Sequence, residues 1–445
     1  MSVFDGKRLP KETFKLDAQR LRAGWYSDAY FMNSVRILEA LAREGYAFNG
    51  QADLPELDKK EIKTGDIVVE MQFFTRHKPH SLVVGVDEAL AILEGCTGYF
   101  EDGQFINTYR DLEVEAVQDG TCVTYDGEPK HVKPVLKVRG RYRDIAALET
   151  PILGVLTEAT RVATNVYEVL SAARGKDLLF FPARFAHYKL QALHGYAYSL
   201  AVRAYNDRHK GASHFFVSTD DQGGWWGGKG GGTTSHAFIA CFLGDTAESM
   251  VQFARIMPLG VPRIALVDFH NDCVGESLKV LKRMFDAYNA RRLEGDTEEA
   301  EKYRLFGVRP DTSGNMRDAS ITPTGERSLD LGVNPRLISL LRKAIDGAWQ
   351  GWGLDPETAE VAREYCKKIR IVVTGGFNAK KIKLFEDLGV PVDIYGVGSS
   401  LLENSSETNC DFTADIVRVK VDGVWHDLAK TGRQAADNPS LKRVK

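Results

Sequence analysis

Residues 1–24 mix polar and apolar positions without a period and read as an extended arm. From Asp28 the pattern changes. Phe31, Val35, Leu38 and Ala42 fall at i, i+4, i+7 and i+11, one stripe of a helix, and Gly45 marks its end. Residues 67–74, IVVEMQFF, alternate instead, which predicts a strand with Ile67, Val69, Met71 and Phe73 on its buried face. The stretch 131–138 is also strand-like. Asp102-Gly103, Asp119-Gly120 and Asp126-Gly127 are turn dipeptides. The segment 25–145 therefore reads as an α+β domain. Within the tail, DIVRVKVDGVWHDL alternates about a turn at Asp422-Gly423, so 405–445 is predicted to complete the front domain with a last hairpin.

Between them, 146–404 has the texture of an α/β domain. Short apolar runs recur at Leu178–Phe181, Phe215–Ser218, Ile264–Asp268, Phe306–Arg309, Ile369–Thr374 and Val392–Val397. Helical stretches such as 187–208, 276–289, 335–347 and 378–388 lie between most of them. Such alternation predicts a parallel sheet, and the pattern leaves open whether the sheet is flat or closed into a barrel. In either case chemistry gathers where strands run into their following loops. Those positions hold Arg184, Asp220, Asp268, Arg309, Asp311, Gly375, Gly376, Gly396 and Gly398.

Length and charge narrow the class. A chain of 445 residues suggests two or three domains, and 43% hydrophobic with 27% charged residues is ordinary for a soluble globular enzyme. A net charge of −3, from 58 basic and 61 acidic residues, lacks the basic excess of a dedicated nucleic-acid binder. The six cysteines form no C-x-x-C pair, which predicts reduced thiols in a cytoplasmic setting. No leader-like apolar stretch opens the sequence, and no run approaches the ~20 apolar residues of a membrane span.

Five short stretches carry candidate chemistry. The patch GGWWGGKGGG at 223–232 has Gly230 where a nucleotide-triphosphate loop needs Ser or Thr, so that reading is rejected. It reads as flexible backbone beside an anion, as a mobile lid, or as a plain surface loop. Thr233-Thr234-Ser235-His236 either caps a helix beside an anion or is a cap with an incidental histidine. Arg309-Pro310-Asp311-Thr312-Ser313-Gly314-Asn315 follows a strand. Its arginine can grip a carboxylate or phosphate in a two-point contact, and its aspartate can hold ribose hydroxyls or, through water, a magnesium ion; the plain alternative is a surface ion pair at a turn. Gly375-Gly376 and Gly396-Val397-Gly398-Ser399 end adjacent strands and can close backbone amides on one phosphate. Phe181 and Arg184 either stack a flat ring and bind its carboxylate or are a core ring and a solvated arginine. His77 and His80 have no further ligand cluster and read as a loop.

In this order, these stretches resemble the nicotinate phosphoribosyltransferase family, in its shorter, archaeal-type branch. The similarity runs over about residues 20–430 and includes Gly24–Phe31, Leu148–Pro151, Arg161–Thr164 and Gly232–His236. The Arg-Pro-Asp…Ser-Gly-Asn string is also similar to nicotinamide phosphoribosyltransferases. The resemblance implies an irregular α/β barrel of the type II phosphoribosyltransferases, with an N-terminal α+β domain completed by the C-terminal strands. It implies formation of nicotinate mononucleotide and diphosphate from nicotinate and phosphoribosyl diphosphate, within NAD biosynthesis. Magnesium bound with that substrate, ATP as a co-substrate, and a homodimer with shared sites are implied as well.

By the same resemblance, His236, Arg309 and Asp311 are the catalytic candidates. Tyr26 (reaching into the partner's site), Phe181, Arg184, Asp220, Thr234, Ser235, Ser313 and Gly314 bind substrate. Gly375, Gly376, Gly396, Gly398 and Ser399 hold the phosphate. No protein metal site, nucleic acid or membrane is expected. Three departures from the family pattern stand out: Ala237 after His236, the extra Thr312, and Phe-Pro-Ala-Arg at 181–184. The alternatives are a nicotinamide or quinolinate enzyme, or a barrel that only binds a phosphorylated ligand.

Overall fold

The computed structural model describes residues 6–52, 54 and 62–444; the first five residues of the arm expected over 1–24 lie outside them. Contacts divide the chain into two units, Met1–Asn165 with Glu403–Lys445, and Val166–Leu402. None of the described helices is long and apolar enough to cross a membrane.

In the first unit, the strand Val68–Thr75 pairs antiparallel with Phe412–Val421 on one side and Leu136–Arg141 on the other. Val424–Asp427 extends the sheet beyond Phe412–Val421, and Glu113–Ala116 and Lys442–Arg443 extend it at the other edge. The tail hairpin turns at Asp422 and Gly423, both at positive φ (49° and 79°), as a tight reversal between twisted strands requires. The helix Ala29–Arg43 buries Phe31 and Val35 of the expected stripe.

Two expectations for this unit need correction. The strand Val68–Thr75 does not alternate between core and solvent, because Glu70 and Gln72 are as buried as Met71 and Phe73. The C-terminal segment covers the second face: Gln72 donates to the Gln434 carbonyl and accepts from the Ala436 amide. Glu70 is neutralised there by Arg139 at 2.6 Å. The lead-in is not simply extended either. It contains a short helix, Ala18–Arg22, with Leu21 buried, and Arg8 and the Leu9 amide both reach Asp87.

In the second unit, five parallel strands run in the order Asp177–Phe180, Ile394–Val397, Arg370–Val373, Gly307–Arg309, Ile264–Leu266. Helices such as Cys273–Leu293 and Ala379–Asp387 connect them, as parallel neighbours demand. The sheet curls. Leu179 on one edge strand and Ile264 on the other share one apolar cluster with Val372 and Ile394. This settles the question the pattern left open, in favour of an irregular barrel.

The predicted strand at Phe215–Ser218 shrinks to two parallel bridges, Val217 with Phe180 and Val217 with Gly230. The glycine patch supplies the second of these bridges. It folds back along this segment, and the Gly231 amide donates to the Val217 carbonyl at 2.8 Å. A side chain would not fit in that layer, because a Cβ on Gly230 would lie 2.7 Å from the Thr219 backbone. The patch is thus packed structure, with Trp226 Nε1 donating to the Gln222 carbonyl, rather than a loose surface loop.

Candidate active site

The C-terminal ends of the parallel strands surround a cavity of about 520 Å³. Four of the five strands deliver residues to it as they turn into the following loop, the usual location for chemistry in such folds, while Ile264–Leu266 lines it with Ile264 and Leu266 of the strand itself. Phe181 and Arg184 follow the strand Asp177–Phe180 and both line the cavity. Arg309 closes its own strand, and Asp311 lies two residues on. Gly375 and Gly376 follow Arg370–Val373, and Gly396, Gly398 and Ser399 end the last strand. Thr234, Ser235 and His236 enter from the loop after the glycine patch.

Arg309 is the most constrained cation of the site. Its guanidinium donates to the Thr234 carbonyl at 3.1 Å and to Thr374 Oγ1 at 3.4 Å. Asp311 Oδ2 is 3.7 Å away. Burial pushes the arginine pKa down, Asp311 and Asp268 pull it back up, and Arg184 opposes them. Arg309 thus sits beside a second arginine in a place shielded from water, an arrangement that favours an arriving anion.

His236 begins the short helix His236–Cys241, whose N-terminus Ser235 caps by accepting from the Phe238 amide. His236 Nε2 lies 2.9 Å from Asp268 Oδ1. Burial pushes the Asp268 carboxyl up from the ordinary range, and the contact with His236 opposes that shift. Asp311 is fixed by Thr374, whose hydroxyl donates to Asp311 Oδ1 at 2.7 Å. Thr234 Oγ1 is buried without a hydrogen-bond partner among the described residues.

The two glycine turns differ in kind. Gly375 and Gly376 have φ of 93° and 68°, so the turn itself selects glycine. At the second turn the neighbours select it. A Cβ on Gly396 would lie 2.5 Å from Thr374 Cγ2 and 2.9 Å from Phe181 Cε2, and one on Gly398 would lie 2.7 Å from Phe185 Cε2. The glycines let two aromatic rings lie against bare backbone. Ser400 Oγ donates to the Phe377 carbonyl at 2.8 Å and ties the two turns together.

Four predicted residues lie outside this cavity lining. The Asp220 carboxylate accepts from the Gly230 amide at 2.9 Å. Ser313 and Gly314 are exposed, in a turn whose Thr312 points inward, its hydroxyl 3.3 Å from Cys273 Sγ. Tyr26 belongs to the first unit, where its hydroxyl donates to Asp17 Oδ2 at 2.8 Å.

Other residues of the site were not singled out from the sequence. Asp268 was visible only as a strand-end aspartate, and its partnership with His236 spans 32 positions. Thr374 and Phe377 flank the predicted Gly375–Gly376 turn but were given no role of their own, and the lining rings Phe185 and Phe216 carried no motif signal.

Residues 58–160 match the family model described as quinolinate phosphoribosyl transferase, N-terminal domain. Among solved structures, the chain is similar to a nicotinate-nucleotide pyrophosphorylase from Pyrococcus furiosus. The identity is 24% over 94% of this chain and 80% of that one, with a TM-score of 0.62. It is also similar to human nicotinic acid phosphoribosyltransferase, at 16% identity over 88% of this chain and 75% of that one, with a TM-score of 0.55. The chain therefore has the α/β barrel fold of the type II phosphoribosyltransferases.

Proposed function

We propose that this protein is a nicotinate phosphoribosyltransferase, transferring the phosphoribosyl group to the ring nitrogen of nicotinate and releasing diphosphate in NAD biosynthesis. One observation carries the reading: Arg184, Arg309, His236 and two glycine turns converge on a single cavity at the strand ends. The matched family model and the printed functions of the two solved relatives support the same class of chemistry.

In this reading Phe181 stacks the pyridine ring and the arginine pair holds its carboxylate. The turns at Gly375–Gly376 and Gly396–Ser399 receive the sugar 5′-phosphate. Asp311, fixed by Thr374, faces the ribose. The pyridine nitrogen attacks the anomeric carbon as the bond to diphosphate breaks, so the ribose carries positive charge midway. Such a step needs positioning and charge stabilisation and no protein nucleophile. The unpartnered hydroxyl of Thr234 gives a polar ligand something to satisfy.

Magnesium accompanies the diphosphate in this proposal. Among the described residues, no group of three His, Cys, Asp or Glu side chains could hold a metal ion. We assign the ion to the substrate, and no step is routed through it. ATP is proposed as a co-substrate acting at His236, whose Nε2 is held by Asp268 and whose second ring nitrogen remains for a phosphoryl group.

We also propose a homodimer in which Tyr26 of the partner subunit completes the ring-binding site. Trp25, Tyr26 and Tyr30 are 71%, 43% and 61% exposed, an aromatic cluster suited to being covered.

The family model favours quinolinate as a second reading. Quinolinate brings a second carboxylate, while the cations on the cavity wall are Arg184 and Arg309, with His236 beside them. Nicotinamide would need an acceptor for its amide, and Asp220 is engaged by Gly230 outside the lining. The test is product analysis with phosphoribosyl diphosphate and each of the three pyridines, with and without ATP. Nicotinate mononucleotide as the main product upholds the proposal; nucleotide from quinolinate or nicotinamide alone overturns it.

A further inference from the structure

The peptide that joins Gly375 to Gly376 lies between two positive φ angles, and neither residue has a side chain to anchor it. Both residues line the cavity. Lys381, in the first turn of the helix Ala379–Asp387, is not part of that lining, and its Nζ donates to the Gly375 carbonyl at 3.3 Å. In a trans peptide the C=O and N–H point in opposite directions. The Gly376 amide is therefore directed away from Lys381, and Gly376 itself lines the cavity. Asn378 fixes the lysine's own backbone by accepting from the Lys381 amide at 2.9 Å.

The surroundings of this lysine are unusual for a cation. Its Nζ lies 4.2 Å from the centre of the Phe377 ring and 5.9 Å from that of Phe385. The acidic groups on the neighbouring elements are committed elsewhere. Asp311 accepts from Thr374, Glu386 accepts from Tyr395 and Lys176, and Asp387 pairs with Lys383. Lys380 and Lys383 add further positive charge on the same helix. A charged amine thus stands behind the phosphate turn with two aromatic faces and one carbonyl for company.

Resting on the phosphoribosyl reading above, we infer that Lys381 is a positioning residue for the sugar 5′-phosphate. It locks the Gly375–Gly376 peptide with its amide toward the phosphate, and it supplies, through that peptide, the positive charge that the phosphate answers. Two features set this role apart from plain packing. A flip of the peptide would replace a donor with an acceptor at the phosphate. A bound dianion would also stabilise the protonated amine.

Burial pushes the Lys381 ammonium down to about 8. The phosphate's second ionisation, near pH ~6, is complete by then. Phosphate binding should therefore take up a proton in the range where free Lys381 has begun to lose its own.

The test combines steady-state kinetics with calorimetry on the full chain. For the wild type, the KM for phosphoribosyl diphosphate should rise toward about tenfold per pH unit above pH about 8, with kcat nearly constant. Lys381→Met should raise that KM about tenfold at pH about 7 and leave it flat with pH, while Lys381→Arg, charged throughout, should keep it low and flat. Ribose 5-phosphate, titrated at pH about 8.5 in two buffers of different ionisation enthalpy, should bind the wild type with proton uptake. Neither variant should show that uptake. A wild type that binds ribose 5-phosphate without proton uptake overturns the inference, even if Lys381→Met does not fold. So does a Lys381→Met enzyme with the wild-type pH dependence. Failure to turn over any pyridine would sink the reaction reading alone, since the ribose 5-phosphate titration judges Lys381 independently.

Discussion

His236 Nε2 and Asp268 Oδ1 are 2.9 Å apart, so the carboxylate holds one nitrogen of a ring that lines the cavity. The pair should act as a unit. His236→Ala and Asp268→Asn are each expected to lower turnover about 100-fold. The double variant should fall little further than His236→Ala alone, because the aspartate acts through the histidine. A double-variant cycle on kcat checks this, and two fully independent losses would separate the residues.

Arg309 makes a harder demand. It contacts the Thr234 carbonyl and Thr374 Oγ1 with two different nitrogens of one planar group. Arg309→Ala should cut turnover by about 100-fold or more. Arg309→Lys keeps the charge but cannot make both contacts, so it should recover only part of that loss. Near-wild-type rates for either variant in an assay of nicotinate mononucleotide would remove Arg309 from the site.

These residues differ in how legible they were. Arg184, Arg309 and the glycine turns could be read because α/β alternation fixes which ends of the strands carry chemistry. The barrel followed from the family resemblance and not from the pattern alone, since curling depends on clusters such as Leu179, Ile264, Val372 and Ile394, far apart in sequence. Asp268 was visible as a strand end, but a partner 32 residues away has no local signature. Asp220 looked like a pocket acceptor until the glycine patch folded back and took its carboxylate. Lys381 is one lysine in a helix rich in them, and only burial between two rings distinguishes it.

The glycines of the second turn yield a prediction of a different kind. Gly396 is confined by Thr374 and by the Phe181 ring, so the methyl of Gly396→Ala must displace one of them. If the ring moves, stacking on the pyridine is lost. That is worth roughly 0.5–1.5 kcal/mol, or up to about tenfold in KM. Gly396→Ala and Phe181→Ala should therefore both raise the KM for nicotinate more than that for phosphoribosyl diphosphate. An effect confined to phosphoribosyl diphosphate would show that Gly396 serves the phosphate directly.

A last prediction concerns stability in the first unit. Glu149 begins the helix Glu149–Ala172. Burial pushes its carboxyl up to about 8, and the negative charges of Asp415 and Asp28 add to the shift. The folded pKa thus lies above the ordinary carboxylate value of 4.5, and the sign follows. Below that ordinary value the group is neutral in both states and costs nothing. As pH rises from there toward 8, the unfolded chain ionises while the fold stays protonated, so stability is lost progressively. Above 8 the fold carries the full cost of a buried, repelled carboxylate. Glu149→Gln abolishes this titration. After allowance for partial exposure it should stabilise the protein by about 2 kcal/mol at pH about 7 and by almost nothing at pH about 4. Denaturant or thermal unfolding at the two pH values measures the difference. A glutamine variant less stable than wild type at neutral pH would mean that ionised Glu149 has a favourable partner and that its carboxyl is not raised.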